Sequence, residues 1–316
     1  MTLSDDAKAV VALTTRLGER SRPSLTAKMW HRLAASLEAG GRRPAEVFDH
    51  AFDPAAVAGV DVDMAVRIEA LLGDAASAAL EAEELSRRGI WAVTVVDDNY
   101  PRSLLERLGD QAPPVLFGVG EAGLLHTPGL GVVGSRDVDQ AGAEVAADVA
   151  RTAVALGYPV VSGGARGIDQ LAMNAAYLAG GTVIGVLADS LVGRIRKPGV
   201  LEALHAGTTC LVSQQVPTAG FSPAAAMGRN KLIYALSVAT VVVASAENSG
   251  GTWAGAVEAI RTRNGTVIVW RGEGEGPGNE ALERRGGHPM TSVDDLADLV
   301  RPCDPPTSQL TLDLPR

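Results

Sequence analysis

Val160-Val161-Ser162-Gly163-Gly164-Ala165-Arg166-Gly167-Ile168-Asp169 runs from a β-branched apolar segment through a glycine-rich turn into residues with helical spacing. A short apolar strand followed by a tight turn and an amphipathic helix is the unit of a parallel sheet. The pattern recurs on both sides of this stretch. Strands are expected at Leu130 to Val133, Pro159 to Ser162, Thr182 to Leu187, Thr209 to Val212, Thr240 to Val243 and Thr266 to Trp270. Helices fall between them, among them Ile168 to Ala179, one through Leu232 and Leu236, and Trp253 to Arg263. Such alternation, with right-handed crossovers, predicts an α/β fold: an extended, Rossmann-like, doubly wound and mainly parallel sheet.

Upstream, apolar residues recur at helical spacing, as in Val10, Leu13 and Leu17, or Met29, Leu33 and Leu37. Residues 1–86 are therefore expected to form a small all-helical module, of the SAM or helix-hairpin-helix kind, opening with a helix from Ser4 to Arg20. The β-rich run Gly89 to Val96 and the apolar Val115-Leu116-Phe117 join it to the main domain, residues 87–300. Short helices are expected at Glu280 to Arg285 and Val293 to Val300, and the proline-rich residues 301–316 read as a flexible tail.

Composition narrows the function. Of 316 residues 46% are hydrophobic, enough for a substantial core. Cys210 and Cys303 are the two cysteines, too few for a disulfide framework and without metal-ligand spacing. The first expected helix is polar, and the apolar runs fall short of the roughly 20 residues that span a bilayer, so a cytoplasmic protein without membrane attachment is expected. The net charge of −9 argues against coating nucleic acid by bulk electrostatics and requires a local basic site instead.

Such a site is readable in the loops that follow the strands, where open α/β sheets bind ligands. Gly134-Ser135-Arg136 follows the first strand, and Ser162-Gly163-Gly164-Ala165-Arg166-Gly167 the second; Ser249-Gly250-Gly251-Thr252 opens a later helix. Glycine lets a phosphate reach backbone N–H groups, and a helix N-terminus favours an anion. Arg136 and Arg166 add bidentate donors, and Arg229, Asn230 and Lys231, at another helix start, extend the set. Asp169, being acidic, is expected to bond backbone amides rather than a ligand.

Other chemistries find little support. The five histidines are scattered, so neither a triad nor a metal site is expected. No Walker A lysine motif occurs, and Gly131 to Arg136 is an incomplete dinucleotide fingerprint. No catalytic residue and no cofactor are therefore expected. The basic loop Arg194-Ile195-Arg196-Lys197 reads either as a solvated loop or as the rim of a binding groove.

These motifs, in this order, resemble the DNA-processing protein A (DprA/Smf) family, together with Asn99-Tyr100-Pro101, Ala112 to Phe117 and Gly278-Asn279. The resemblance covers about Gly89 to Val300. It implies an extended Rossmann-like domain that binds single-stranded DNA, loads a RecA-type recombinase during recombination and transformation, forms homodimers and is not an enzyme. The chain departs from the family pattern at Met173, Ala226-Met227, Lys231 and Ala244, and the resemblance stops before the winged-helix domain of many members. It thus reads as a divergent branch. The alternatives left open are a small-nucleotide sensor or phosphoribohydrolase-like enzyme, with Gly250 to Gly255 and Glu258 as its loop and acid, and a protein–protein adaptor.

Overall fold

Alternate residues of the central strands face opposite ways, and both directions are buried. In the computed structural model, which describes residues 3–18 and 23–300, nine strands form one sheet in the order β1-β2-β6-β5-β4-β3-β7-β8-β9. The strands are β1 (Trp91–Thr94), β2 (Val115–Gly120), β3 (Gly129–Val133), β4 (Val160–Ser162), β5 (Val183–Val186), β6 (Thr209–Ser213), β7 (Ser237–Val242), β8 (Thr266–Trp270) and β9 (His288–Met290). From β6 through β9 every pairing is parallel, whereas β2 runs antiparallel to both β1 and β6. The mainly parallel, Rossmann-like α/β fold is thus observed, with an antiparallel edge.

The helices divide between the two faces. The first four are α1 (Asp5–Thr14), α2 (Ala27–Ala39), α3 (Val62–Gly73) and α4 (Ala75–Arg87), with 3-10 turns at Pro44–Phe48 and Pro54–Ala56. Then come α5 (Arg102–Leu108), α6 (Gln140–Ala155), α7 (Ile168–Leu178), α8 (Leu191–Ile195) and α9 (Val200–His205). The last are α10 (Pro223–Ala235), α11 (Gly250–Thr262), α12 (Asn279–Arg284) and α13 (Leu296–Leu299). Val132, Val160 and Val241 pack with Val149 of α6 and Ala172 of α7 on one face. Val133, Val161 and Val242 pack with Leu232 of α10 and Ala256 of α11 on the other. Two-sided burial is what makes these strands read as continuous apolar runs.

The helices α1–α4 do not close their core on themselves. Leu13, Trp30, Leu37 and Ile68 share one cluster with Val115, Phe117 and Val119 of β2 and Leu211 of β6. Their apolar stripes therefore cover the antiparallel end of the sheet. The first helix is shorter than its sequence suggests: Thr15 is extended, and its Oγ1 donates back to the Val11 carbonyl. Arg20, Cys303 and the tail 301–316 lie outside the described residues.

One buried side chain ties the edge of the ligand-facing loops to the sheet. Asn279 is fully buried at the start of α12. Its Oδ1 accepts from the Ser245 amide at 2.9 Å, and its Nδ2 donates to the carbonyls of Val243 and Trp270, both at 2.8 Å. Replacement by alanine strands one N–H and two carbonyls in the interior. Asn279→Ala is expected to cost about 3 kcal/mol, read as a lowered denaturation midpoint with an unchanged m-value; a loss below about 0.5 kcal/mol would show that the loop does not depend on it.

Candidate functional site

Strand order determines where a ligand can enter. From β3 the chain proceeds outward through β4, β5 and β6, then returns to place β7, β8 and β9 on the other side of β3. The loops leaving β3 and β7 consequently part from each other, and a crevice opens above their carboxyl ends. There lies a cavity of about 400 Å³, lined by Gly134, Ser135, Arg136, Arg229, Tyr234 and Gly251 among others.

Backbone contacts lock its walls together. The Ser135 amide donates to the Ala244 carbonyl at 2.8 Å, joining the loops after β3 and β7. The Ile168 amide donates to the Ser135 carbonyl at 3.2 Å, joining those after β3 and β4. Gly167 makes that approach possible, having a φ of +86° and facing the Ser135 and Arg136 carbonyls where a Cβ would clash. Thr252 Oγ1 donates to the Gly134 carbonyl at 3.0 Å, and Asn230 Nδ2 to the Gly251 carbonyl at 2.9 Å, which draws α10 and α11 onto the same rim.

The helix termini differ in a way that bears on anions. Asp139 caps α6 and Ser222 caps α10 with their own side chains. At α11 the Ser249 side chain makes no capping hydrogen bond, and Ser249, Gly250, Gly251 and Thr252 all line the cavity. Its first-turn N–H groups and positive dipole end therefore face the cavity without a side-chain cap.

The basic residues play unequal parts. Arg136 is exposed, with its guanidinium 5.8 Å from the centre of the exposed Phe221 ring. Arg166 is exposed and paired with Asp137. Arg229 is 8% exposed; its Nη1 lies 3.1 Å from Asp169 Oδ2, and its Nε is buried without a partner among the described residues. The guanidinium occupies the space a Cβ would need at Gly163. Burial pushes the Asp169 carboxyl up, opposed by the charge and hydrogen bond of Arg229 and by the Ala165 amide. Asp169 thus does accept from a backbone amide, at 3.4 Å from Ala165 N, but its main partner is an arginine 60 positions away. No local signal announces that pairing.

The expected site residues separate accordingly. Gly134, Ser135, Arg136, Ala165, Arg229, Asn230, Ser249, Gly250, Gly251 and Thr252 line the cavity. Gly163, Gly164 and Arg166 line an adjoining cleft of about 350 Å³ that shares Arg136, Ala165 and Arg229 with it. Gly167 faces a shallower recess beside Arg166. Ser162 and Lys231 line none of these. The Ser162 hydroxyl is buried and donates to the Val132 carbonyl at 2.6 Å. Lys231 Nζ lies 3.1 Å from Glu258 and donates to Gln111.

Of the aromatic residues nearby, Phe221 stands on the cleft wall and Tyr234 in the cavity wall, its hydroxyl buried, unpartnered among the described residues and pushed up by burial. Trp253 is buried beneath Arg285. Among the described residues, no cluster of three His, Cys, Asp or Glu side chains is placed to hold a metal, and no helix is long and apolar enough to cross a membrane.

Comparison with known proteins agrees with this arrangement. The family model for DNA recombination-mediator protein A matches residues 91–301, more than half of the chain and all three glycine loops. The chain belongs to that family. It is 31% identical over 252 residues to the DNA processing protein DprA of Mycobacterium tuberculosis, covering 71% of this chain and 61% of that one. The chain thus spans less than two thirds of that relative's length. The crystal structure of DNA processing protein A from Streptococcus pneumoniae superposes with a TM-score of 0.74 at 24% identity, covering 94% of this chain and 98% of the other. DNA processing protein A from Helicobacter pylori, described for its single-stranded DNA binding mode, gives a TM-score of 0.54 at 23% identity, covering 66% and 94%.

The Arg229–Asp169 pair yields a prediction of its own. Asp169→Ala leaves a buried guanidinium without a counter-charge and is expected to cost about 3–5 kcal/mol in denaturant unfolding. Gly163→Ala, which displaces the same guanidinium, should also destabilise the protein, whereas Gly73→Ala, where φ is not positive and nothing lies near the missing Cβ, should cost less. Equal losses at the two glycines would contradict the packing role given to Arg229.

Proposed function

We propose that this chain binds single-stranded DNA in the crevice between β3 and β7 and acts as a recombination mediator. One observation carries the reading: α11 presents its first-turn amides without a side-chain cap beside Arg136, with Arg166 in the adjoining cleft. Fixed N–H groups and a dipole bind a phosphate, and exposed arginines add charge-assisted donors. In a chain of net charge −9, this local cationic site supplies the attraction that the whole molecule does not.

Family membership supports the same ligand, since the Helicobacter pylori relative is described as binding single-stranded DNA. In this reading the bound strand is handed to a RecA-type recombinase by a cytoplasmic homodimer. Residues 87–300 form the DNA-binding domain and residues 1–86 a helical module. The phosphoribohydrolase-like alternative takes Glu258 as its acid, but Glu258 sits outside the cavity, held by Lys231, and the carboxylate that does line it, Asp169, is buried and paired with Arg229. Burial also pushes the Cys210 thiol up, away from nucleophilic use.

The test is a titration of fluorescent oligo-dT across a salt series. Wild type should bind with a steep salt dependence, and Arg136→Ala and Arg166→Ala should each weaken binding by about 1–3 kcal/mol. Each lost phosphate contact should flatten the salt slope by about 0.7. Absence of binding at near-physiological salt would contradict the proposal.

A further inference from the structure

Glycine visits both signs of φ with similar ease, so a Gly-Gly turn left to itself samples several peptide orientations. In some of them a backbone N–H faces an anion, and in others a carbonyl does and repels it. Gly164, with a φ of +61°, lies in such a turn, yet the peptide that joins it to Ala165 is held at both ends. Its carbonyl accepts from Gln170 Nε2 at 3.3 Å and from Arg194 Nη1 at 3.4 Å. Its N–H, that of Ala165, lies 3.4 Å from Asp169 Oδ2. Arg194 is anchored in turn, with its Nη2 2.9 Å from Asp189 Oδ2.

The turn is also supported from beneath. Gly164 is buried, and the Cβ it lacks would stand 3.7 Å from Leu187 Cδ2 and 3.8 Å from Met173 Sδ, both ordinary packing distances. Leu187 belongs to the core that α1–α4 share with β2 and β6, and Met173 of α7 packs against that core. Gly185 in β5 leaves room for the Met173 methyl, which lies 3.0 Å from where a Cβ on that strand would be. Neither Met173 nor Leu187 is among the described residues lining the cavity or its neighbouring clefts, so both reach the crevice only through Gly164. We infer that Gln170, Met173 and Leu187 are positioning residues, which lock the Gly164–Ala165 peptide so that loop 163–167 meets its ligand already in shape. This rests on the reading of the crevice as a single-strand site. Such preorganisation raises affinity by sparing the ordering cost at the moment of binding. The core that the N-terminal helices close thus extends to the underside of a binding loop.

The experiment joins amide hydrogen exchange of the ligand-free protein to oligo-dT affinity, for wild type, Gln170→Ala, Met173→Ala and Met173→Leu. Gln170 is exposed, so its variant keeps the fold even where Met173→Ala does not; thermal melting checks each. Without ligand, each folded alanine variant is expected to exchange roughly threefold to tenfold faster at residues 163–167. Residues 134–136 and 249–252 should stay within about twofold of wild type. Affinity for oligo-dT should fall by roughly threefold to tenfold. Met173→Leu, which keeps the volume beneath Gly164, should restore both measurements to wild-type values. Weaker binding by Gln170→Ala with unchanged exchange would make Gln170 a direct ligand contact and overturn its positioning role. Faster exchange at all three loops, or no change in either measurement, overturns the lock as well. Failure of wild type to bind oligo-dT overturns the single-strand reading instead, and with it the role given to the locked turn.

Discussion

Strand β3 has parallel neighbours on both sides and buried side chains on both faces, and the remainder of the molecule is arranged around that constraint. With both edges and both faces occupied, the strand is free only at its ends. Its carboxyl end meets the chain reversal between β4 and β7, where successive crossovers leave in opposite directions. A crevice at that point follows from connectivity and needs no special residue. What the local sequence adds is the lining: glycines that admit backbone approach, a helix end without its own cap, and arginines at the rim.

Charge in this crevice is divided by burial. Arg229 is spent inside, paired with Asp169 beneath Gly163, where removal of either partner leaves an unbalanced ion in a low-dielectric interior. Arg136 and Arg166 remain exposed, and the Arg166–Asp137 pair is of the solvent-exposed kind that contributes little to stability. Such a pair exchanges its carboxylate for a phosphate at small cost. The interior pair holds the loop in shape, and in the proposed reading the exterior cations meet the ligand. An acidic chain can thus bind a polyanion through one patch without attracting it elsewhere.

Much of this was legible in the sequence because strands buried on two faces announce themselves as β-branched runs between glycines, as at Val160-Val161 and Thr240 to Val243. The boundaries moved where side chains intervened. The run from Gly89 to Val96 yields only Trp91–Thr94, because Asp97 accepts from the Thr94 amide and hydroxyl and turns the chain. Strand β9 escaped notice since His288-Pro289-Met290 has neither length nor β-propensity, and it exists by pairing with β8. The antiparallel direction of β2 carries no local signal at all. Among site residues, the loops were readable from glycine and arginine. The burial of Arg229, the sheet-facing turn of Ser162 and the capture of Lys231 by Glu258 depend on contacts distant in sequence.

In the proposed reading, single-stranded DNA lies in the crevice above β3 and β7. Amide hydrogen exchange of the whole chain, with and without saturating oligo-dT, tests it most directly. Slowed exchange at residues 134–136, 163–167 and 249–252, with residues 23–87 unchanged, is the predicted result. Protection confined to residues 23–87, with those three loops unaffected, would contradict it.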